Sequence, residues 1–244
     1  MDIRVAPDDW GDACVSDITQ VLASAGETLT IFFPTETVPP IEVARTTPDP
    51  ITHFQRGPSG EIRVELNVEG RHWAQFAFQF GHELCHILCG YADYPNPNRW
   101  FEETVCEAAS LFVLGRMADT WKDRAPYPNW NDYSAALRKY RDDRIEEERL
   151  PEGASLVDLF REKELSLRDD PYQRGLNLRM AVSILPLFEA SPEHWEAIDC
   201  LNAIRGNVSR PFIQYLRDWL RSSPERHREF IREIAERFGV SIKL

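Results

Sequence analysis

Long hydrophobic runs are missing from this 244-residue chain. The longest apolar stretch, MAVSILPLF from Met180 to Phe188, falls far short of the roughly 20 residues that a helical membrane span needs. The opening MDIRVAPDDWGDACV turns acidic at once and lacks the charged-then-apolar layout of a leader. No membrane association is expected, and a cytoplasmic location is. Positive charge is also short, since 28 Lys and Arg against 40 Asp and Glu leave a formal net charge of −12. Such a surface repels phosphate backbones, so no nucleic-acid partner is expected. Cysteine is sparse and odd in number, at Cys14, Cys85, Cys89, Cys106 and Cys200. That is a poor disulfide framework and suits a reducing compartment, with thiols packed as small apolar groups. The sequence holds no G-x-S-x-G, no G-x-x-x-x-G-K-[ST] and no G-x-G-x-x-G, which removes the usual signatures of serine hydrolases, P-loop proteins and dinucleotide binders. No internal repeat or low-complexity linker divides the chain.

What is present reads as one large domain or two modest lobes. ACVSDITQVLASAG has helical spacing and is expected to stop at Gly26, with TLTIFF following as a short strand. PPIEVARTT and ITHFQR are weaker strand candidates. In EIRVELNV, Ile62, Val64, Leu66 and Val68 alternate with polar residues, the pattern of a strand with one wet face. A helix is predicted from near Arg71, because Trp73, Phe76, Ala77, Phe80, Leu84, Ile87 and Leu88 recur at three- and four-residue steps before Gly90. Pro95 and Pro97 keep YADYPNPN out of helix. The next helix is predicted to start at Asn98 and run through WFEETVCEAASLFVLGRMA. The second half is nearly all helical in pattern. NDYSAALRKYRDDRIEEER should face water, QRGLNLRMAVSILPLF should be buried with a kink at Pro186, and Ser191-Pro192 and Ser223-Pro224 should each open a helix. The fold class is therefore α+β, with an α+β lobe over residues 1–121 and an α-helical lobe over 122–244.

The chemistry concentrates in FGHELCHILCG, residues 80–90, which places His-Glu-x-x-His on the predicted helix. Residues four apart share a helix face, so His82 and His86 can aim both imidazoles at one ion. Glu83 is turned about 100° from His82, beside such an ion and available as a base. This spacing is the signature of zinc metallopeptidases, and chance would produce it about once in a hundred chains of this length. The helix is apolar before and after the motif, so the histidines lie close to buried surface. Unpaired imidazoles there would cost stability, and a metal would satisfy them.

A catalytic zinc needs a third protein ligand and one open position. RWFEETVCEAAS offers Glu102, Glu103 and Glu107. Glu103 and Glu107 share a face one turn apart, while Glu102 points about 100° away. One carboxylate can bind the ion and the other can accept the second ring N–H of a ligand histidine, fixing its tautomer.

Here the chain resembles the gluzincin metallopeptidases. Trp100, three positions before Glu103, is similar to their aminopeptidase-type W-x-x-E, and ETVCE is similar to the E-x-x-x-D of thermolysin-like enzymes. Both resemblances imply Glu103 as the third ligand and Glu107 as support. A competing register exists, because EAASLF also resembles the E-A-N-x-F-A segment of repressor-associated, regulator-cleaving peptidases, which would make Glu107 the ligand. Glu103 is favoured, since only that register gives both carboxylates a role. The resemblance covers roughly residues 60–115 and implies a zincin-like fold, a Zn2+ cofactor, Glu83 as general base, and a peptide or protein substrate. It also implies that EIRVELNV is the edge strand along which extended substrate pairs.

Residue type alone nominates His194, Tyr91, Tyr94 and Tyr172 as oxyanion donors. His53, His72 and His227 have no partners at recognisable spacing and are read as solvent-facing or hydrogen-bonded. Two alternatives stand beside the enzyme. One is a zincin-like regulatory protein that binds zinc without turnover. The other is a structural zinc closed by Cys85 and Cys89, which one helix would struggle to wrap around a single ion.

Overall fold

The computed structural model describes residues 1–34, 38–206 and 209–243. It is α+β, with four short strands followed mainly by helices. The strands are β1 (Ile3–Val5), β2 (Ile41–Arg45), β3 (Ile51–Arg56) and β4 (Ile62–Leu66). The helices are α1 (Val15–Thr30), α2 (Trp73–Leu88), α3 (Arg99–Arg124), α4 (Ser134–Glu148), α5 (Leu156–Asp169), α6 (Arg174–Ala190), α7 (Phe212–Ser222) and α8 (Arg228–Arg237). Among the described residues, no helix is long and apolar enough to cross a membrane.

The chain forms two compact units that are discontinuous in sequence. Residues 1–87 and 109–144 make the first, and residues 88–108 and 145–244 make the second. The boundary at Ala109 falls inside the uninterrupted helix α3.

The first unit carries the sheet, ordered β1-β2-β4-β3, with β1, β2 and β4 parallel and β3 antiparallel to β4. Ile41 pairs with Ile62 and Val43 with Val64, so their side chains share one fully buried face. The alternation in EIRVELNV is thus a true strand signal. Its position is not the expected one, however. β4 is bonded on both sides, and the sheet ends at β3. Pairing register is set by long-range contacts that one strand's own pattern does not contain.

TLTIFF is likewise not a strand. Helix α1 runs through a buried Gly26 to Thr30, and residues 31–33 form a turn. The apolar face of Ile18, Val21, Leu22, Ala25 and Leu29 is continuous across the glycine and buried, and its packing outweighs the glycine's modest helix penalty.

The second unit is built on aromatic rings. Trp100, in the first turn of α3, stacks on Phe160 of α5 at 5.4 Å between centroids and lies 4.7 Å from Phe212 of α7. Asn98 precedes α3 as expected, with its side-chain amide donating to the Arg210 carbonyl. The two Ser-Pro openings differ from expectation. Pro192 begins a 3-10 helix through Cys200, while Ser223 closes α7 and a 3-10 turn separates Pro224 from α8. Helix α4 buries only Leu137, as its charge pattern requires, and α6 continues past Pro186 to Ala190.

Candidate metal centre

Helix α2 forms because its apolar stripe buries Phe76, Ala77, Phe80, Leu84 and Leu88. It stops where Gly90 takes φ 62, a left-handed conformation that glycine adopts without a Cβ clash. Gly81 allows α3 to approach closely. A Cβ there would stand 3.3 Å from Val113 Cγ2 and 3.4 Å from Ser110 Cα. Ser110 Oγ donates to the Phe78 carbonyl at 2.9 Å, which fixes the register between the two helices. Glu103 precedes Ser110 by seven residues on the same helix, two turns away on nearly the same face.

His82 Nε2 and His86 Nε2 lie 3.2 Å apart, with ring centroids 4.9 Å apart and planes at 70°. His82 is 6% exposed. One ligand atom each from His82, His86 and Glu103 fall within 4.8 Å of one another. This set fits a zinc ion. Two nitrogens bound at about 2.0–2.1 Å in a tetrahedral shell sit roughly 3.3–3.4 Å apart, close to the observed spacing. Imidazole nitrogens and carboxylate oxygens are both ordinary zinc ligands.

Glu83 is only 3% exposed and faces the sheet. Its carboxylate Oε2 accepts a hydrogen bond from Thr52 Oγ1 of β3 at 2.7 Å, and the same hydroxyl lies 3.2 Å from the Glu83 carbonyl. Sequence reasoning missed Thr52. Its burial, between an exposed Ile51 and a half-buried His53, is a tertiary fact, and nothing in ITHFQR names the helix that it meets.

The neighbouring acids Glu102 and Glu107 each meet a polar side chain as well. Glu102 accepts from Asn202 Nδ2 at 2.8 Å. Asn202 also donates to the Cys89 carbonyl at 3.0 Å and accepts from the hydroxyls of Tyr94 and Tyr215 at 3.2 and 3.0 Å. This hub too was illegible in sequence. Glu107 is almost fully buried, with Arg174 Nε 3.7 Å from Oε1.

Among the described residues, the thiols of Cys85, Cys89 and Cys106 form a second buried group, within 4.8 Å of one another.

Of the nominated oxyanion donors, Tyr94 gives its hydroxyl to Asn202, and burial, followed by the nearby Glu102 charge, raises its pKa. His194 Nδ1 meets His227 Nδ1 at 2.9 Å, and its ring stacks on Phe230. Tyr172 is exposed, and Tyr91 is half-buried just beyond Gly90. His53 lies 3.2 Å from Glu65, and His227 bridges His194 and Glu196.

Comparison with protein-family models, with curated proteins and with solved structures gives no match to this chain.

Proposed function

We propose that the protein is a zinc-dependent peptidase with a zincin-like active site, acting on peptide or protein substrates in the cytoplasm. The observation that carries this reading is the convergence of His82, His86 and Glu103 beside a buried Glu83. His82, His86 and Glu103 would hold the ion, and Glu107 would steady a ligand histidine. A zinc ion there supplies Lewis-acid polarisation of water and of the scissile carbonyl.

The protein's own groups do the rest. Glu83 takes a proton from the attacking water and delivers it to the leaving amine. The walls of α2 and β3 keep that carboxylate away from bulk water, and a drier site strengthens its electrostatic interactions. β3, the antiparallel end of the sheet, is the edge on which an extended substrate adds a strand. The buried thiols of Cys85, Cys89 and Cys106 suit a reducing compartment.

A pair of variants tests the reading. Zinc-loaded Glu83→Gln should retain its metal and lose about 10²–10⁴ of the cleavage rate on a peptide library, whereas His82→Ala should lose both metal and cleavage. Full activity in Glu83→Gln, or a wild-type protein that binds zinc yet cleaves nothing in the library, ends it.

A further inference from the structure

The geometry points to Thr52 as the residue that positions Glu83, an inference that rests on the peptidase reading for its catalytic meaning but on geometry alone for the contact. Thr52 sits on β3, opposite Val64 of β4, and is 6% exposed. Its one hydroxyl proton has two acceptors in reach, Glu83 Oε2 at 2.7 Å and the Glu83 carbonyl at 3.2 Å. A charged acceptor makes the shorter and stronger bond, so the proton belongs to the carboxylate. One carboxylate oxygen is thereby tied to the sheet, and the other is left to take the proton that hydrolysis moves.

The choice of threonine follows from mechanics. A glutamate has three rotatable side-chain bonds, and α2 by itself fixes none of the outer ones. Threonine is branched at Cβ, which restricts its χ1, and the β3–β4 pairing holds its backbone. A stiff donor on a paired strand therefore selects one rotamer of the base. Misplacing a reacting group by about 1 Å can cost on the order of 10²-fold in rate. Loss of the hydroxyl should act on turnover and leave both metal binding and substrate binding intact.

Thr52→Val deletes the donor at constant shape, Thr52→Ala deletes it with less bulk in case valine disturbs the sheet, and Thr52→Ser keeps it. Each is prepared zinc-loaded and assayed on the peptide that wild-type protein cleaves best. Valine and alanine should lower kcat about 10–100-fold at unchanged KM and unchanged zinc content, and serine should restore most of the rate. Crystal structures of the same proteins give a readout apart from activity. Glu83 should hold one orientation in wild type and Thr52→Ser, and should shift or split in Thr52→Val. Equal kcat in wild type and Thr52→Val, or an unmoved Glu83 in the valine variant, overturns the inference. A wild-type protein inert toward every peptide defeats the peptidase reading, and the crystal comparison then still decides whether Thr52 sets the carboxylate.

Discussion

His82 Nε2 and His86 Nε2 face each other across 3.2 Å, one turn apart on α2. Two lone pairs at that separation repel unless a proton or a cation lies between them, and Glu103 contributes an oxygen to the same group. Replacing Glu103 should therefore weaken zinc more than replacing its neighbours. On the proposed assignment, in which Glu107 steadies a ligand histidine, Glu107→Gln should raise the zinc Kd by about 10–100-fold. Glu103→Gln should exceed that, and Glu102→Gln should leave affinity unchanged, because its carboxylate is taken by Asn202. Competition against a chromogenic chelator ranks the three. If Glu107→Gln proves the most damaging, the ligand assignment is wrong.

Gly81→Ala sets two opposing effects against each other. Alanine gains about 0.8–1 kcal/mol of helix propensity over glycine. The new methyl would meet Val113 Cγ2 at 3.3 Å and Ser110 Cα at 3.4 Å, and overpacking a tight contact costs about 1–3 kcal/mol. The expected net effect is a loss of about 1 kcal/mol in urea unfolding, with weaker zinc binding as α3 is pushed away. A more stable variant with unchanged metal affinity would show that the helix pair yields easily.

Asn202→Leu removes four hydrogen bonds from a buried hub, two donated to Glu102 and the Cys89 carbonyl and two accepted from Tyr94 and Tyr215. The loss should be about 2–4 kcal/mol, since each stranded polar group carries its own desolvation cost. Tyr94→Phe removes a single bond and should cost about 1 kcal/mol. Equal costs for the two variants would deny the hub its cooperative role.

Stability should fall as the solution is acidified below neutrality. His227 is buried, and burial is the largest influence on it, lowering its pKa below the ordinary 6.5 against the opposing pull of Glu196. The unfolded chain therefore takes up this proton first. The stabilisation is complete above the ordinary value and drains away as pH drops through it, at no more than about 1.4 kcal/mol per pH unit. His227→Asn should flatten the difference between urea midpoints at about pH 7.5 and about pH 5.5. Glu196, held low chiefly by Arg226, contributes in the same direction but only at more acidic pH. An unchanged slope in His227→Asn would assign the pH dependence elsewhere.

Much of the helical architecture was legible from periodicity. The stripe from Trp73 to Leu88 predicts α2, and Pro95 and Pro97 mark the break before α3. The ITHFQR stretch coincides with β3 to the residue. Failures came where packing overrode a local signal. Gly26 lies inside α1, and Ser191 and Ser223 do not open the α-helices that their spacing suggested. β1 was not foreseen, since three residues carry too little pattern to register.

By itself, the order of residues determined which groups share a helix face. His82 and His86 are one turn apart in any α-helix, Glu83 is necessarily turned aside, and Glu102 necessarily diverges from Glu103. Only the tertiary structure decided what each face meets. It gave Glu83 its hydroxyl from Thr52, enclosed β4 within the sheet, and gathered four hydrogen bonds on Asn202. The reason is that periodicity is a property of a single element, whereas a partner is chosen by packing between segments tens of residues apart. The gap at Gly81 and the Ser110 bond to Phe78 set that choice for α2 and α3.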